Sequence, residues 1–464
     1  MTDPAPKAGR LRILVPTGML GGGFPAELIR DGIAAGAAAI AVDGGSTDSG
    51  PYYLGRGVAK TAAAAVERDI RILLIEARRA NIPIIVGTCG TSGTDAGVDW
   101  VADMVEKTAA QHGLKLNLAK IYSEQNAATI GAALNAGRVK PLAPLGDLDR
   151  ETLSSCSHIV GLMGHEPMLR ALEGGADVIL AGRATDTAML SSFALLHGMP
   201  AGPTWHAAKT VECGGQCTVS DDVKATSNPI MVEIDAGGFT VIPLHPKAAA
   251  TPTSVAAHMI YENANPYSLR EPTGVLDTSL ATYTAADDRT VRVEGSRFEP
   301  VAQTTVKLEG SRVAGYETVS LVGIADPHVL SRIDEWLSDL VEAVTGRIRD
   351  VLGLDEGSYQ IDVRCYGQNA ILGALAPEHG APAEVGVLFK ARAADQETAT
   401  AIARLANPLL LHLPLPGMVD MPSFAFATSP AEIERGAVYE FVLNHTIDVS
   451  DGSELFRTEV AEVG

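Results

Sequence analysis

The sequence predicts an α/β protein. A doubly wound, mostly parallel sheet is expected in its N-terminal part, followed by a second, α+β domain with a ferredoxin-like βαββαβ unit. Three observations carry this reading. Short apolar runs alternate with helical periodicity from residue 11 to about 200, the pattern of a parallel sheet covered by helices. Aromatic residues are only 5% of a chain that holds 47 glycines, which suits close helix-on-sheet layers better than a β-sandwich. Near residue 303 the pattern resets and runs β-α-β-β-α-β. The chain has 464 residues, beyond the roughly 250 to 300 at which a single core stops growing, so more than one domain is expected.

In chain order, strands are expected at 11–16, 37–42, 82–86, 115–121, 158–163 and 178–181. Helices follow them at 25–35, 59–80, 98–111, 127–134, 167–172 and 186–196. Residues 1–215 are therefore read as the α/β domain. Residues 216–300 are read as a bridging segment with a helix near 255–262, and 301–464 as the α+β domain. In that last part, Leu330, Ile333, Trp336, Leu337, Leu340, Val341, Val344 and Ile348 form a 3.6-residue stripe behind Asp326, a natural N-cap, and predict one helix over 327–352. Strands at 317–324, 359–366, 385–391 and 438–445 and a helix at 396–406 complete the unit, with a Pro-rich loop at 407–422.

Composition narrows the partners. With 36 Lys and Arg against 56 Asp and Glu, the net charge is −20 and no basic cluster stands out, which argues against nucleic acid and anionic membranes. A small anionic substrate stays compatible, because local cations act at short range. The five cysteines suggest no disulfide framework. The first ten residues lack the apolar core of a signal peptide, and no apolar run reaches the roughly 18 residues of a membrane span. The cytoplasm is the expected location.

Ligands of doubly wound sheets bind beyond the carboxyl ends of the strands, so the residues that follow each strand deserve the closest reading. The richest stretch is D-G-G-S-T-D-S-G-P-Y-Y-L-G, from Asp43 to Gly55. It offers Asp43 for catalysis and Gly44, Gly45, Ser46, Thr47, Asp48 and Tyr52 for binding. The first strand is followed by Thr17 and a turn containing Gly21 and Gly22. That turn reads G-x-x-G-G-G and not G-x-G-x-x-G, so a nicotinamide or flavin cofactor is not expected. Its amides at a helix start would suit a carboxylate or phosphate.

The loop after the third strand carries Thr88, Ser92 and Thr94. Thr94 stands where G-x-S-x-G requires glycine, so a serine nucleophile is not indicated. These hydroxyls either bind a substrate anion or cap the next helix. His165 and Glu166 offer a general acid and base, and Arg183 could clamp a carboxylate bidentately with Asp186 nearby. An N-cap for Asp186 and a structural ion pair for Arg183 are the alternatives. Cys213 and Cys217 stand four apart with no C-x-x-C, so their spacing suggests no metal cluster. The metal set is left unknown. No cofactor is required, although a divalent cation such as Mg²⁺ on Asp43, Asp48 and Asp186 is compatible with the residue types.

Three segments resemble the acyclic terpene utilisation AtuA family. They are L-E-G-G-A-D-V-I-L-A-G-R-A-T-D (172–186), E-C-G-G-Q-C-T (212–218), which adds Glu212 to the binding residues, and A-A-H-M-I-Y-E (256–262) with its continuation through N-P-Y to V-L-D. The resemblance covers most of the chain to about residue 345. The first loop departs from the family's aromatic G-F-W-G-D type, having Met19, Leu20 and three glycines. The resemblance implies catabolism of branched acids through acyl-CoA intermediates and a separate small companion protein. The resulting expectation is a lyase of the hydratase or dehydratase type. Asp43 or Glu166 would be the base, His165 the acid, and Arg183 with the loops at 18–23 and 88–94 the anion clamp. A non-catalytic substrate-binding or scaffolding subunit and an acyl or CoA transferase with a carboxylate nucleophile are the alternatives. A homo-oligomer is the expected assembly.

Overall fold

In a computed structural model, which describes residues 9–222, 228–377, 380 and 382–464, the chain forms two compact units. One comprises residues 1–312 and 441–464, the other 313–440. The N-terminal residues whose composition argues against a signal peptide lie largely outside the described residues. Among the described residues no helix is long and apolar enough to cross a membrane.

The first unit is built on five parallel strands. β1 (Arg10–Val15), β2 (Ala39–Asp43), β3 (Ile84–Gly87), the strand Val178–Ala181 and β4 (Leu116–Tyr122) pair in that spatial order. They read as near-continuous apolar runs because both faces are covered. Ile13, Ala39, Ala41, Ile85 and Ile121 enter one core, while Leu14, Ile40, Val42, Ile84 and Val86 enter the other. The second of these cores is closed by α1 (Ala26–Ala34), α3 (Ala63–Ala80) and α4 (Asp95–His112); a short α2 (Pro51–Arg56) lies between the first two in the chain. The first is closed by the helices Glu166–Glu173, Ala188–Leu196 and Ala201–Val211.

Antiparallel strands widen this sheet to ten. Ile230–Asp235 pairs with β1, with Leu11 opposite Ile234 and Ile13 opposite Val232. Gly238–Pro243, Val291–Glu294 and Thr282–Ala285 follow outward. At the other edge Arg457–Val463 pairs with β4. The segment expected to bridge two domains thus supplies four strands of the ten-stranded sheet, and the end of the expected second domain returns to it. Two of these pairs are local hairpins, but Ile230–Asp235 and Arg457–Val463 join the parallel core by pairing with β1 and β4, far earlier in the chain.

One strand is not where the alternating pattern implied. His158–Leu162 forms, but it pairs antiparallel with residues 307–311, with Leu308 opposite Gly161, and is absent from the parallel set. The local residue pattern of a strand does not name its neighbour.

In the second unit the strand order is Tyr359–Tyr366, Val385–Ala393, residues 316–324 and residues 432–440, the order of a ferredoxin-like βαββαβ unit. The helix expected at 327–352 is divided into Pro327–Leu330, Ile333–Arg347 and a wider turn at Ile348–Leu352. Asp326 caps its start, accepting from the amides of His328 (2.8 Å) and Val329 (3.1 Å). The helix Gln396–His412 runs through Pro408 and takes in the first part of the expected loop. Leu330, Ile333, Trp336, Leu340, Val344 and Ile348 are buried, as the stripe requires, whereas Val341 is exposed. Trp336 is the anchor of this core: its indole N–H donates to Leu413 O at 2.9 Å and its ring stands edge-on to Phe424. Replacing it with alanine removes both the packing and the donor. Trp336→Ala should cost about 3–5 kcal/mol, read as a lowered urea midpoint; a loss below about 1 kcal/mol would contradict this account of the core.

Candidate functional site

The loops after β1, β2, β3 and Val178–Ala181 meet at one rim, and their backbones interlock. Gly44 N–H donates to Gly87 O (2.7 Å), Leu20 N–H to Asp43 O (2.8 Å), and Thr88 N–H to Gly182 O (3.0 Å). Gly45 has φ +140°, and a Cβ there would fall 2.5 Å from Thr91 Cα. Gly93 has φ +68° and would place a Cβ 2.1 Å from Arg183 N. No other residue fits either place. Two β-branched residues between them are themselves held at positive φ, Thr88 at 42° and Thr91 at 78°, each costing about 1–3 kcal/mol that the surrounding contacts must offset.

These loops border a cleft of about 460 Å³ lined by Thr17, Gly18, Met19, Gly22, Asp43, Gly45, Ser46, Asp48, Ser49, Lys60, Asp186, Cys213, Gln216, Tyr261 and Glu262. Under it lies a much smaller void bordered by Val15, Ala41, Asp43, Asp186, Met189 and Glu212. The electrostatics are dominated by carboxyl groups. Asp43 Oδ2 accepts from Gly45 N–H at 3.1 Å, while Asp43 Oδ1 is buried with no hydrogen-bond partner. Burial, reinforced by Asp186, pushes the Asp43 carboxyl well above its ordinary range against the pull of Arg183. Burial likewise raises Asp186, with Arg183 and Lys209 opposing and Glu262 and Asp48 adding to the shift. Two such neighbours titrate as a unit. Glu271 accepts from Thr187 Oγ1 at 2.6 Å, leaves Oε2 unpartnered, and is pushed up to about 7 by burial.

The two cations buried among the described residues, Arg183 and Lys209, are already engaged. Arg183 Nε donates to Glu309 Oε2 at 2.9 Å, with side chains only 7% exposed on both sides. Glu309 also accepts from Lys307 Nζ (2.7 Å) and Thr47 Oγ1 (2.9 Å). Burial works against its charge, but Arg183 and Lys307 hold it down to about 2. Lys209 Nζ donates to Glu212 Oε1 at 2.5 Å, and this carboxylate raises the lysine pKa despite burial.

Among the residues singled out from sequence, Thr17, Gly22, Asp43, Gly45, Ser46, Asp48 and Asp186 line the cleft, and Glu212 lies beneath it. The others have different places. Arg183 sits behind the cleft as the partner of Glu309, and its charge reaches Asp43 and Asp186 through space. The amides of Gly21 and Gly23 donate to Asp69 Oδ2 at 2.9 and 3.1 Å, so the Gly-rich turn is held by α3 and does not present these donors to an anion. Thr94 caps α4 through Gly97 N–H (3.2 Å), Ser92 Oγ donates to Tyr53 O (3.4 Å) and Thr88 Oγ1 to Ala184 O (3.3 Å). Those hydroxyls fasten loops. Gly44 packs against the Gly87–Cys89 backbone, and Tyr52 is exposed, edge-on to Tyr53.

His165 and Glu166 are absent from the cleft lining. His165 stands edge-on to Trp205, with Nδ1 3.4 Å from Glu166 Oε2, and Glu166 packs against Gly452. Their strand pairs with residues 307–311, and its end is bridged in parallel to Ala184 through Met163. In their stead the chain brings Lys60, Cys213, Tyr261 and Glu262 to the cleft. Residues 255–262, expected to be one helix, end as a helix at Ala257; after a 3₁₀ turn over His258–Ile260, Glu262 adopts φ +51°. Such a turn has no glycine to announce it.

A family model described as acyclic terpene utilisation family protein AtuA matches residues 59–445, most of the chain. The chain belongs to this family. The matched stretch runs well past residue 345, where the resemblance of the motifs was expected to end, and includes Lys60, Asp186, Glu212, Cys213, Tyr261 and Glu262, whereas Thr17 and Asp43 precede it. No curated protein and no solved structure matches the chain.

The raised pKa of Glu271 makes stability depend on pH. Its proton is bound more tightly in the folded state, so this contribution is complete below the ordinary glutamate pKa and is lost as pH rises through about 7. Glu271→Gln should remove up to about 1.4 kcal/mol per pH unit from the slope of unfolding free energy between those limits. Urea titrations of both proteins across that window measure it, and an unchanged slope would contradict the assignment. Gly93→Ala should lower Tm sharply at every pH, because its Cβ would collide with the Arg183 backbone.

Proposed function

We propose that this chain is a cytoplasmic lyase of the hydratase or dehydratase type, acting on a small branched carboxylic acid or its acyl-CoA thioester, with Asp43 as the proton-transferring group. The observation that carries the reading is the unpartnered, buried Oδ1 of Asp43 at the cleft, on a carboxyl whose pKa is raised beside Asp186. A carboxyl raised in this way keeps a proton that ordinary carboxylates have given up, so it can donate one as well as accept one. In the dehydrating direction the ionised member of the Asp43–Asp186 pair takes the proton next to the substrate carbonyl. The C–H electron pair becomes the C=C bond and the C–O bond breaks. The neutral member gives its proton to the departing hydroxide, which leaves as water. Hydration reverses each step.

Lys60, whose Nζ donates to Ser49 Oγ at 3.2 Å on the cleft wall, is the residue suited to hold the substrate's anionic group. A cleft of about 460 Å³ matches the acyl part of such a substrate. His165, Glu166 and Arg183 have no direct part in this scheme.

The test is a panel of branched 3-hydroxy and 2,3-unsaturated acids and their CoA thioesters, followed by enoyl absorbance and by deuterium uptake from D₂O at the carbon next to the carbonyl. Asp43→Asn keeps an acceptor for Gly45 N–H, so circular dichroism should not change, while kcat should fall by about 10²–10⁴. Wild-type turnover in that variant would remove Asp43 from the mechanism. If the purified wild-type chain is inactive on the whole panel until a small companion protein is added, the substrate-holding subunit becomes the better reading.

A further inference from the structure

We infer that Glu212, Cys213 and His258 form a binding site for a divalent transition metal, with zinc the ion that their donors suit best. This goes beyond the proposed reaction and does not rest on it. Glu212 and Cys213 leave the end of the helix Ala201–Val211, where the chain tightens into the 3₁₀ turn Gly214–Cys217. His258 opens the 3₁₀ turn that follows the helix Pro252–Ala257. The two turns bring one carboxylate oxygen, one thiol sulfur and one ring nitrogen within 4.8 Å of one another. Oxygen, sulfur and nitrogen donors in one set of three are characteristic of zinc, and a site with three protein ligands keeps a fourth position for water or substrate. Bond lengths of about 2.0–2.3 Å put the ligand atoms of a tetrahedral ion closer together than this, so small side-chain rotations would complete the site.

A second, independent observation points to a ligand. His258 is 6% exposed, and its Nε2 is buried without a hydrogen-bond partner among the described residues. A buried imidazole nitrogen left unpaired is costly and calls for an explanation. Packing does not supply a partner: the ring stacks on Tyr261 at 5.3 Å, which satisfies its face and not its nitrogen.

The surroundings set the direction of the open position. Cys213, Tyr261 and Glu262 all belong to the cleft wall, so an ion on this triad would face the same space as Asp43 and Asp186. Its competitors are Lys209, which holds Glu212 Oε1 at 2.5 Å, and the Tyr261 hydroxyl, which hydrogen-bonds with Cys213. Glu212 would offer the metal its other oxygen or release the lysine. The alternative carboxylate set, Asp43, Asp48 and Asp186, contains no sulfur, which makes the two sites distinguishable by spectroscopy.

The experiment uses the full chain, stripped with a chelator and dialysed against cobalt(II), then against zinc(II). The expected result is one cobalt per chain with a thiolate-to-cobalt charge-transfer band in the near ultraviolet, displaced by zinc. Cys213→Ser should abolish the band, and Glu212→Gln and His258→Gln should each weaken binding at least about tenfold. Should the variants fail to fold by circular dichroism, the wild-type spectrum decides alone. No stoichiometric metal in wild type, or bound cobalt without the thiolate band, would overturn the inference; the second result would put the ion on carboxylates. None of these readouts depends on turnover, so a failure of the lyase reading leaves the metal site standing, and the reverse.

Discussion

The buried ion pair of Arg183 and Glu309 is the constraint on which the rim depends. Two charges with side chains 7% exposed survive burial only when their remaining hydrogen-bonding capacity is met. Glu309 meets it with Lys307 and Thr47, and Arg183 with the Ala184 carbonyl. The pair therefore ties the loop after β2, the loop after Val178–Ala181 and the strand that begins at Thr305 into one polar knot. Removing one partner of such a pair typically costs about 3–5 kcal/mol. More than stability would be lost, because the Arg183 charge also offsets the effect of burial on Asp43 and, together with Lys209, on Asp186.

Around that knot the cleft carries more carboxyl groups than free cations. Lys60 faces Asp43, Asp48, Asp186 and Glu262 on the wall, and Arg183 and Lys209 are committed to Glu309 and Glu212. Such an excess has two physical outlets. Protons can remain on the acids, as the raised values of Asp43, Asp186 and Glu271 indicate, or a cation can be taken up. The acid–base scheme uses the first outlet and the Glu212–Cys213–His258 site the second. The two draw on different residues, although Asp43, Asp186 and Glu212 border one small void.

Much of this architecture was legible in the residues alone. The parallel core follows from apolar runs alternating with helical periodicity, and the ferredoxin-like unit from its β-α-β-β-α-β order. The Asp43–Asp48 turn and Asp186 could be found because ligand sites of such sheets collect at strand ends. What could not be read was pairing at a distance. The strand before His165 has the same local signature whether it joins the parallel set or pairs with residues 307–311. The glycine-rich turn looked like an anion nest because its occupant, Asp69, sits on a helix more than forty residues later. Cys213 and His258 have no metal-binding spacing in sequence. They meet where the end of the helix Ala201–Val211 lies beside the 3₁₀ turn that opens at His258.

The return of Arg457–Val463 to pair with β4 bears on how the protein is made. During synthesis the first unit stays incomplete while residues 313–440 are produced, since its edge strand is encoded after them. For that interval β4 presents a row of unpaired amides and carbonyls at the border of a large apolar sheet, a surface prone to adopting a foreign strand. The edge at β4 thus stays open to aggregation until residues 457–463 have been made.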